Sequence, residues 1–251
     1  MNKEVNTIIL FCLLIIACSE NEVKYKCLMP FSREAIMTER NSQDTLNAYF
    51  PLNTFLDSSA IKDDSTGNFV YFSKIDTFSL EWFSFNLQTM KEPILYSQYL
   101  GKEVYRFSWF RSFNSPVIIT LEKDNDEFHI ITKMTNRLFQ RSSIKLLDFK
   151  TDMVTEIRDT TPLYLQINQR DKIDRSQYQT FTDILKQTDF TCLSPRGIDN
   201  FGIDGSEWII EIHNKNGYYY VDRHSPEDST PLRRLGEYLL DLSAAKNEKR
   251  Y

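Results

Sequence analysis

Trp208-Ile209-Ile210-Glu211-Ile212-His213 and Tyr218-Tyr219-Tyr220-Val221-Asp222-Arg223, joined through Asn214-Lys215-Asn216-Gly217, decide the fold class. Both flanks are rich in β-branched and aromatic residues, and an Asn-Gly step between two such runs is the strongest short-range signal for a β-hairpin. If Asn216 and Gly217 are the central residues of a type I′ turn, Lys215 pairs with Tyr218 and Glu211 lies directly opposite Asp222. Alternation then puts His213 and His224 on the same face as the two acids, with Tyr220 opposite His213 and Ile209 opposite His224. Trp208, Ile210, Ile212 and Val221 form the other face, the one expected to meet the core.

The same period of two extends outward from this hairpin. Tyr105, Phe107 and Trp109 alternate with Arg106 and Ser108, and Val117, Ile119 and Leu121 alternate with Thr120 and Glu122. Asp124-Asn125-Asp126 turns the chain into a returning strand from about Phe128 to Met134, so the sheet is antiparallel. Weaker strand signals cover Ile144–Phe149 and Leu163–Ile167. Helical spacing replaces alternation at Leu80, Phe83, Leu87 and Met90, with Pro93 just beyond as a stop. A second helix is announced by Asp174 with Gln177 three residues on, ahead of Tyr178, Phe181, Ile184 and Leu185. A third begins at Thr230-Pro231 and carries Leu232, Leu235, Leu239 and Leu242 on one face. Asp57-Ser58-Ser59 and Asp63-Asp64-Ser65-Thr66-Gly67 read as exposed turns. The expected fold class is α+β: an antiparallel sheet built from hairpins, with two or three amphipathic helices packed on one side.

At the N-terminus, Ile8 to Ala17 is apolar apart from Cys12, ten residues that match a signal-peptide core and fall well short of the ~20 needed to span a bilayer. Ile15-Ile16-Ala17-Cys18 closes the run and resembles the lipobox of bacterial lipoproteins. The resemblance implies cleavage before Cys18 and acylation of that cysteine. Two or three acyl chains make such an anchor effectively permanent, whereas one binds reversibly. Ser19-Glu20-Asn21-Glu22 is similar to the export tag of certain surface lipoproteins. Glu103 to Phe113 with Pro116-Val117, and Gly202 to Trp208 through Val221-Asp222-Arg223-His224-Ser225-Pro226, resemble an uncharacterised family of bacterial lipoproteins and exported proteins. That likeness runs from about Ser79 to Leu242 and implies no activity.

The expected organisation is therefore a signal peptide over 1–17, a tether and irregular cover over 18–66, one α+β domain over 67–245 and a polar tail over 246–251. Removing residues 1–17 from the 251 leaves 234, enough for a sizeable core. Aromatics at 14% with a mean hydropathy of −0.43 describe a folded body. The net charge of −5 and the dispersed basic residues argue against nucleic acid as a partner. The expected partners are a lipid bilayer, through acylated Cys18, and an envelope protein or glycan. Cys27 and Cys192 could pair in an oxidising envelope, or both remain thiols.

The search for chemistry returns mostly negatives, with no nucleophile elbow, phosphate-binding glycine loop, His-Glu-x-x-His or Cys-x-x-Cys. Asn200, Gly202, Asp204, Gly205 and Glu211 match a calcium loop in part, but lack a ligand at the third position. Arg106 and Arg111 could bind an anion, or cover ring faces and pair with acids. What survives is the hairpin face: Glu211 and Asp222 with His213 and His224, a candidate metal site or raised-pKa acid pair, or else an ordinary solvated surface. Three readings of function follow, with no cofactor in any. The first is a non-enzymatic binding or structural lipoprotein of the envelope, in the outer membrane, on its periplasmic side or exposed at the surface. The second is an inhibitor or immunity-like lipoprotein using a loop such as Arg196 to Gly205. The third is a hydrolase gathering several of Glu207, Glu211, Asp222, His213 and His224.

Overall fold

The computed structural model describes residues 28–31, 37–41, 44–62, 69–137, 143–148, 153–158, 162–197 and 204–250. Three short hairpins, β1 (Met37–Asn41) with β2 (Asp44–Asn47), β3 (Leu56–Lys62) with β4 (Phe69–Ile75), and β8 (Ser143–Asp148) with β9 (Met153–Arg158), stand apart from a larger sheet. That sheet comprises β5 (Glu103–Arg111), β6 (Val117–Asp124), β7 (Glu127–Thr135), β10 (Leu165–Lys172), β11 (Ser206–Asn214) and β12 (Gly217–His224). Its strand order is β10-β7-β6-β5-β11-β12, and every neighbouring pair is antiparallel. The helices are α1 (Thr77–Thr89), α2 (Arg175–Gln187) and α3 (Pro231–Leu242). The fold is α+β, an antiparallel six-stranded sheet with three helices packed on it.

Local chemistry accounts for the helix starts. Asp76 accepts from the Ser79 amide at 3.1 Å ahead of α1, satisfying one of the donors that a helix N-terminus leaves free. Ahead of α2 the capping box is complete: Asp174 Oδ1 accepts from the Gln177 amide at 2.8 Å, and Gln177 Oε1 from the Asp174 amide at 2.9 Å. Thr230 Oγ1 accepts from Arg233 N at 3.2 Å, with Pro231 in the first turn of α3.

The three helices do not share one side of the sheet. α2 and α3 cover the face formed by Tyr105, Phe107, Trp109, Trp208, Ile210 and Ile212, burying Phe181, Leu185, Leu235 and Leu239 against them. On the opposite face, Leu80, Phe83 and Leu87 of α1 join Ala48, Phe50 and Phe55 over Val104, Phe110, Ile118, Ile209 and Tyr220. Alternation with Arg106 and Ser108 suggested a solvated second face, yet both residues are fully buried. The central strands are apolar enough on both sides to need two covers. Position 236 is glycine because a Cβ there would lie 2.5 Å from Trp208 Cζ3, where α3 crosses the sheet. Arg233 then lays its guanidinium 4.2 Å from the Trp208 ring.

Two local expectations change. Asp57-Ser58-Ser59 lies in β3, paired with Lys74, Ser73 and Phe72, because a partner strand overrides the turn propensity of a polar triplet. The late strand runs Leu165–Lys172 instead of ending at Ile167, since β7 offers pairing partners as far as His129. Asp63 to Gly67 falls outside the described residues, as do the lipobox and Cys27.

Candidate functional site

Register is the first correction. Asn214 pairs with Gly217, so the two-residue loop is Lys215-Asn216 and not Asn216-Gly217. Asn214 Oδ1 accepts from the Asn216 amide at 2.8 Å, an Asx turn that starts the reversal one residue early. Gly217, at φ 144°, then sits beside the turn, where a Cβ would come within 2.4 Å of the Met29 carbonyl oxygen. Glu211 consequently faces Tyr220, Ile209 faces Asp222, and Glu207 faces His224. Moving the turn by one residue shifts pairing by two, which preserves the faces. Glu211, His213, Asp222 and His224 therefore remain on one side, but Glu211 and Asp222 are not direct partners.

Burial is the second correction, for Glu211, His213 and Asp222 are fully buried, on the face whose apolar residues Ile209, Tyr218 and Tyr220 join the cluster of α1 and residues 48–55. Glu211 accepts from Arg106 Nε at 2.5 Å, Arg106 Nη2 at 2.7 Å and the Tyr218 hydroxyl at 3.0 Å. A buried charge is tolerable only when paired in this manner. Arg106 also donates to the Pro93 carbonyl at 2.8 Å and lies 3.6 Å from Glu92, which Lys133 holds at 2.7 Å. Burial opposes the guanidinium charge, but the Glu211 carboxylate outweighs it and raises the Arg106 pKa. His213 Nδ1 lies 2.7 Å from the Leu95 carbonyl while Nε2 accepts from Leu100 N at 3.0 Å, so the ring is the Nδ1–H tautomer. Its pKa is lowered by burial. Both residues join the 92–100 loop to the sheet.

A different acid pair forms at the other end of the hairpin. Asp222 and Glu207 lie on one face two positions apart on the β11–β12 ladder, where Ile209 faces Asp222 and Glu207 faces His224. Burial, then the Glu207 charge, pushes Asp222 well above the ordinary carboxylate range, and burial raises Glu207. His224 adjoins Glu207, its Nδ1 2.8 Å from Glu207 Oε1 and its Nε2 2.9 Å from the Asp204 carbonyl. A carbonyl only accepts, so Nε2 carries a hydrogen. Arg196 completes the group, 3.5 Å from Asp222, 2.9 Å from Asp76 at the start of α1, and 4.8 Å above the Phe55 ring. Chemically this arrangement favours a proton on Asp222.

The sequence groups Glu211 and His213 in a site and offers Arg106 as an anion binder, a ring cover or the partner of an acid, and the last is what it is. The structure joins Arg106 and Glu211, 105 positions apart, through the β5–β11 pairing that no local pattern encodes. Arg196, Asp76 and Glu92 went unnoticed for the same reason, although Asp76 was legible as a cap residue. Arg111 covers Trp109 at 4.5 Å and pairs with Glu248 at 2.8 Å, so it holds the tail. The calcium-loop reading loses its last ligand because Glu211 is committed to Arg106. Cys192 is exposed at the end of a 3-10 turn whose Phe190 and Thr191 are buried, while Cys27 lies outside the described residues. Of the Arg196–Gly205 loop, residues 198–203 are also outside them.

Among the described residues, no cluster of three or more His, Cys, Asp or Glu is placed to hold a metal ion. No described helix is long and apolar enough to cross a membrane. A shallow groove of about 500 Å³ beside α3 is lined by Arg233, Arg234, Glu237, Asp241 and Arg250, whose charges are largely paired with one another. No protein-family model, curated protein or solved structure matches the chain.

Proposed function

We propose that the chain is a lipid-anchored protein of the bacterial cell envelope, acting as a binding or structural module and not as a catalyst. The observation that carries the anchor is Ile15-Ile16-Ala17-Cys18 at the end of a ten-residue apolar run. Support for a non-catalytic body comes from how the acids of the hairpin face are used. Glu211 neutralises Arg106, and His213 spans Leu95 and Leu100, so each spends its hydrogen-bonding capacity on cohesion. Labelling cells with a fatty-acid analogue should mark the wild type and leave Cys18→Ala unmarked. Equal labelling of the two would end the anchor reading. Capture of a defined envelope protein or glycan from detergent extracts would identify the partner.

One observation favours a hydrolase as a second reading: two neighbouring carboxyls that burial holds above their ordinary range, Glu207 and Asp222, the first of them 2.8 Å from His224 Nδ1. Paired carboxyls with separated pKa values are the usual acid–base equipment of such enzymes. Turnover of envelope glycans or esters by the wild type, abolished in Glu207→Gln without loss of folding, would establish it. An inhibitor-like role through the Arg196–Gly205 loop remains the alternative within the binding class.

A further inference from the structure

Resting on the lipid-anchored reading, we propose that the corner formed by Met29, Phe31, Tyr99 and the Lys215-Asn216 turn faces the headgroup layer of the bilayer that holds the anchor. Met29 lies in the first described segment, 28–31, and ties it to the body. It makes two backbone hydrogen bonds with Tyr218, at 2.8 and 2.9 Å, and Gly217 leaves room for its carbonyl. Cys18 is ten residues before Leu28, so an extended chain reaches at most ~36 Å from the anchor to this corner. A domain of this size is itself about 40 Å across. The corner bearing the tether therefore stays within that reach of the membrane, whereas the far end of the strands can stand off by a further ~30 Å.

The surface there suits a bilayer interface. Tyr99 is 42% exposed and stacks on His213 at 5.5 Å, with Phe31 5.2 Å from the same imidazole. Because His213 is pinned between the Leu95 carbonyl and the Leu100 amide, the exposed phenol ring is held on a rigid base. Tyrosine places an apolar ring and a polar tip at headgroup depth, and the neighbouring Lys215 and Asn216 are exposed, polar and compatible with phosphate. At the opposite end of the sheet, some nine residues or ~30 Å along the strands, Phe113 is 70% exposed in the β5–β6 connection. The same orientation presents Phe113, and the Glu207–His224 end of the hairpin, away from the membrane.

The test uses the full lipidated chain reconstituted into phosphatidylcholine–phosphatidylglycerol vesicles that carry a headgroup nitroxide lipid. Tyr99→Trp and Phe113→Trp are compared after subtracting wild-type fluorescence. The expected result is severalfold stronger quenching of the tryptophan at 99 than of the one at 113. Hydrogen exchange of the unmodified protein supplies a second reading, with slower exchange expected in peptides covering 96–100 and 215–218 when it is vesicle-bound. Flotation with vesicles accompanied by equal quenching at both positions, and no protection, would overturn the proposed face alone. Failure of the chain to float with vesicles would overturn the anchor reading, and this face with it.

Discussion

Arg106→Met removes the cation that neutralises Glu211 while keeping the aliphatic volume of the side chain. Glu211 is fully buried and would retain the Tyr218 hydroxyl, while the Pro93 carbonyl would lose its donor. Breaking a buried pair by deleting one partner costs about 3 to 5 kcal/mol, a large share of a typical total of roughly 5 to 15. At about 2 to 4 °C per kcal/mol for a chain of this size, the melting midpoint should fall by roughly 6 to 20 °C. Arg106→Met/Glu211→Leu deletes both charges and leaves the Tyr218 hydroxyl, the Pro93 carbonyl and Glu92 in need of partners, although Glu92 keeps Lys133. Each unmet polar group should cost about 1 to 3 kcal/mol, but the Pro93 carbonyl loses its donor in the single variant too. Only the single variant leaves the Glu211 charge buried without its cation, so the double variant should be the more stable. Circular-dichroism melts of the Cys18→Ala chain, read at equal protein concentration and pH, decide the matter. A single variant melting within about 2 °C of the parent would show that solvent reaches Glu211. A double variant as unstable as the sum of both singles would show that the two side chains do not act as a pair.

Asp222→Asn should flatten the pH dependence of stability. The raised folded pKa of Asp222 means that its contribution is full below the unfolded value near 3.8 and is lost as pH rises toward the folded value. An amide of the same shape cannot ionise, so its advantage over the parent in urea melts should grow from about pH 4 to pH 8; an advantage that shrinks would refute the assignment. Leu239→Ala should cost ~2 to 5 kcal/mol, since Leu239 is fully buried beneath the sheet, and an unchanged melting midpoint would show α3 to be peripheral. Gly217→Ala should expose the Tyr218 amide to exchange, because its Cβ would displace the Met29 carbonyl from 2.4 Å and strain the φ of 144°; unchanged protection would show that Met29 does not depend on this glycine.

The elements were legible wherever the signal is local. The Asp174–Gln177 capping box, Thr230-Pro231 and the alternating β5, β6 and β7 all depend on residues within a few positions of one another, and each forms where its pattern lies. The hairpin was legible as a hairpin, but its register was not. Asn214 and Asn216 compete to start the turn, and the Asx bond to Asn214 together with the Met29 carbonyl packed against Gly217 settles the choice. Of the four candidate side chains, the sequence established that Glu211, His213, Asp222 and His224 share a face, because the two-residue period survives a two-residue shift in pairing.

What that face does was decided by tertiary structure. A strand alternating between tyrosine or isoleucine and a charged residue looks half-solvated, and whether its polar side meets water depends on whether another element covers it. Here α1 and residues 48–55 pack on its apolar members, and the polar side chains remain because β5 delivers Arg106 to Glu211 from 105 positions away. The carboxyl pair is likewise a product of long-range placement, with Glu207 and Asp222 brought together by the ladder, and Arg196 and Asp76 brought to them from two other segments. Periodicity along one chain determines which side chains point the same way. Desolvation and charge pairing, which set the chemistry of those side chains, depend on what the rest of the chain folds over them.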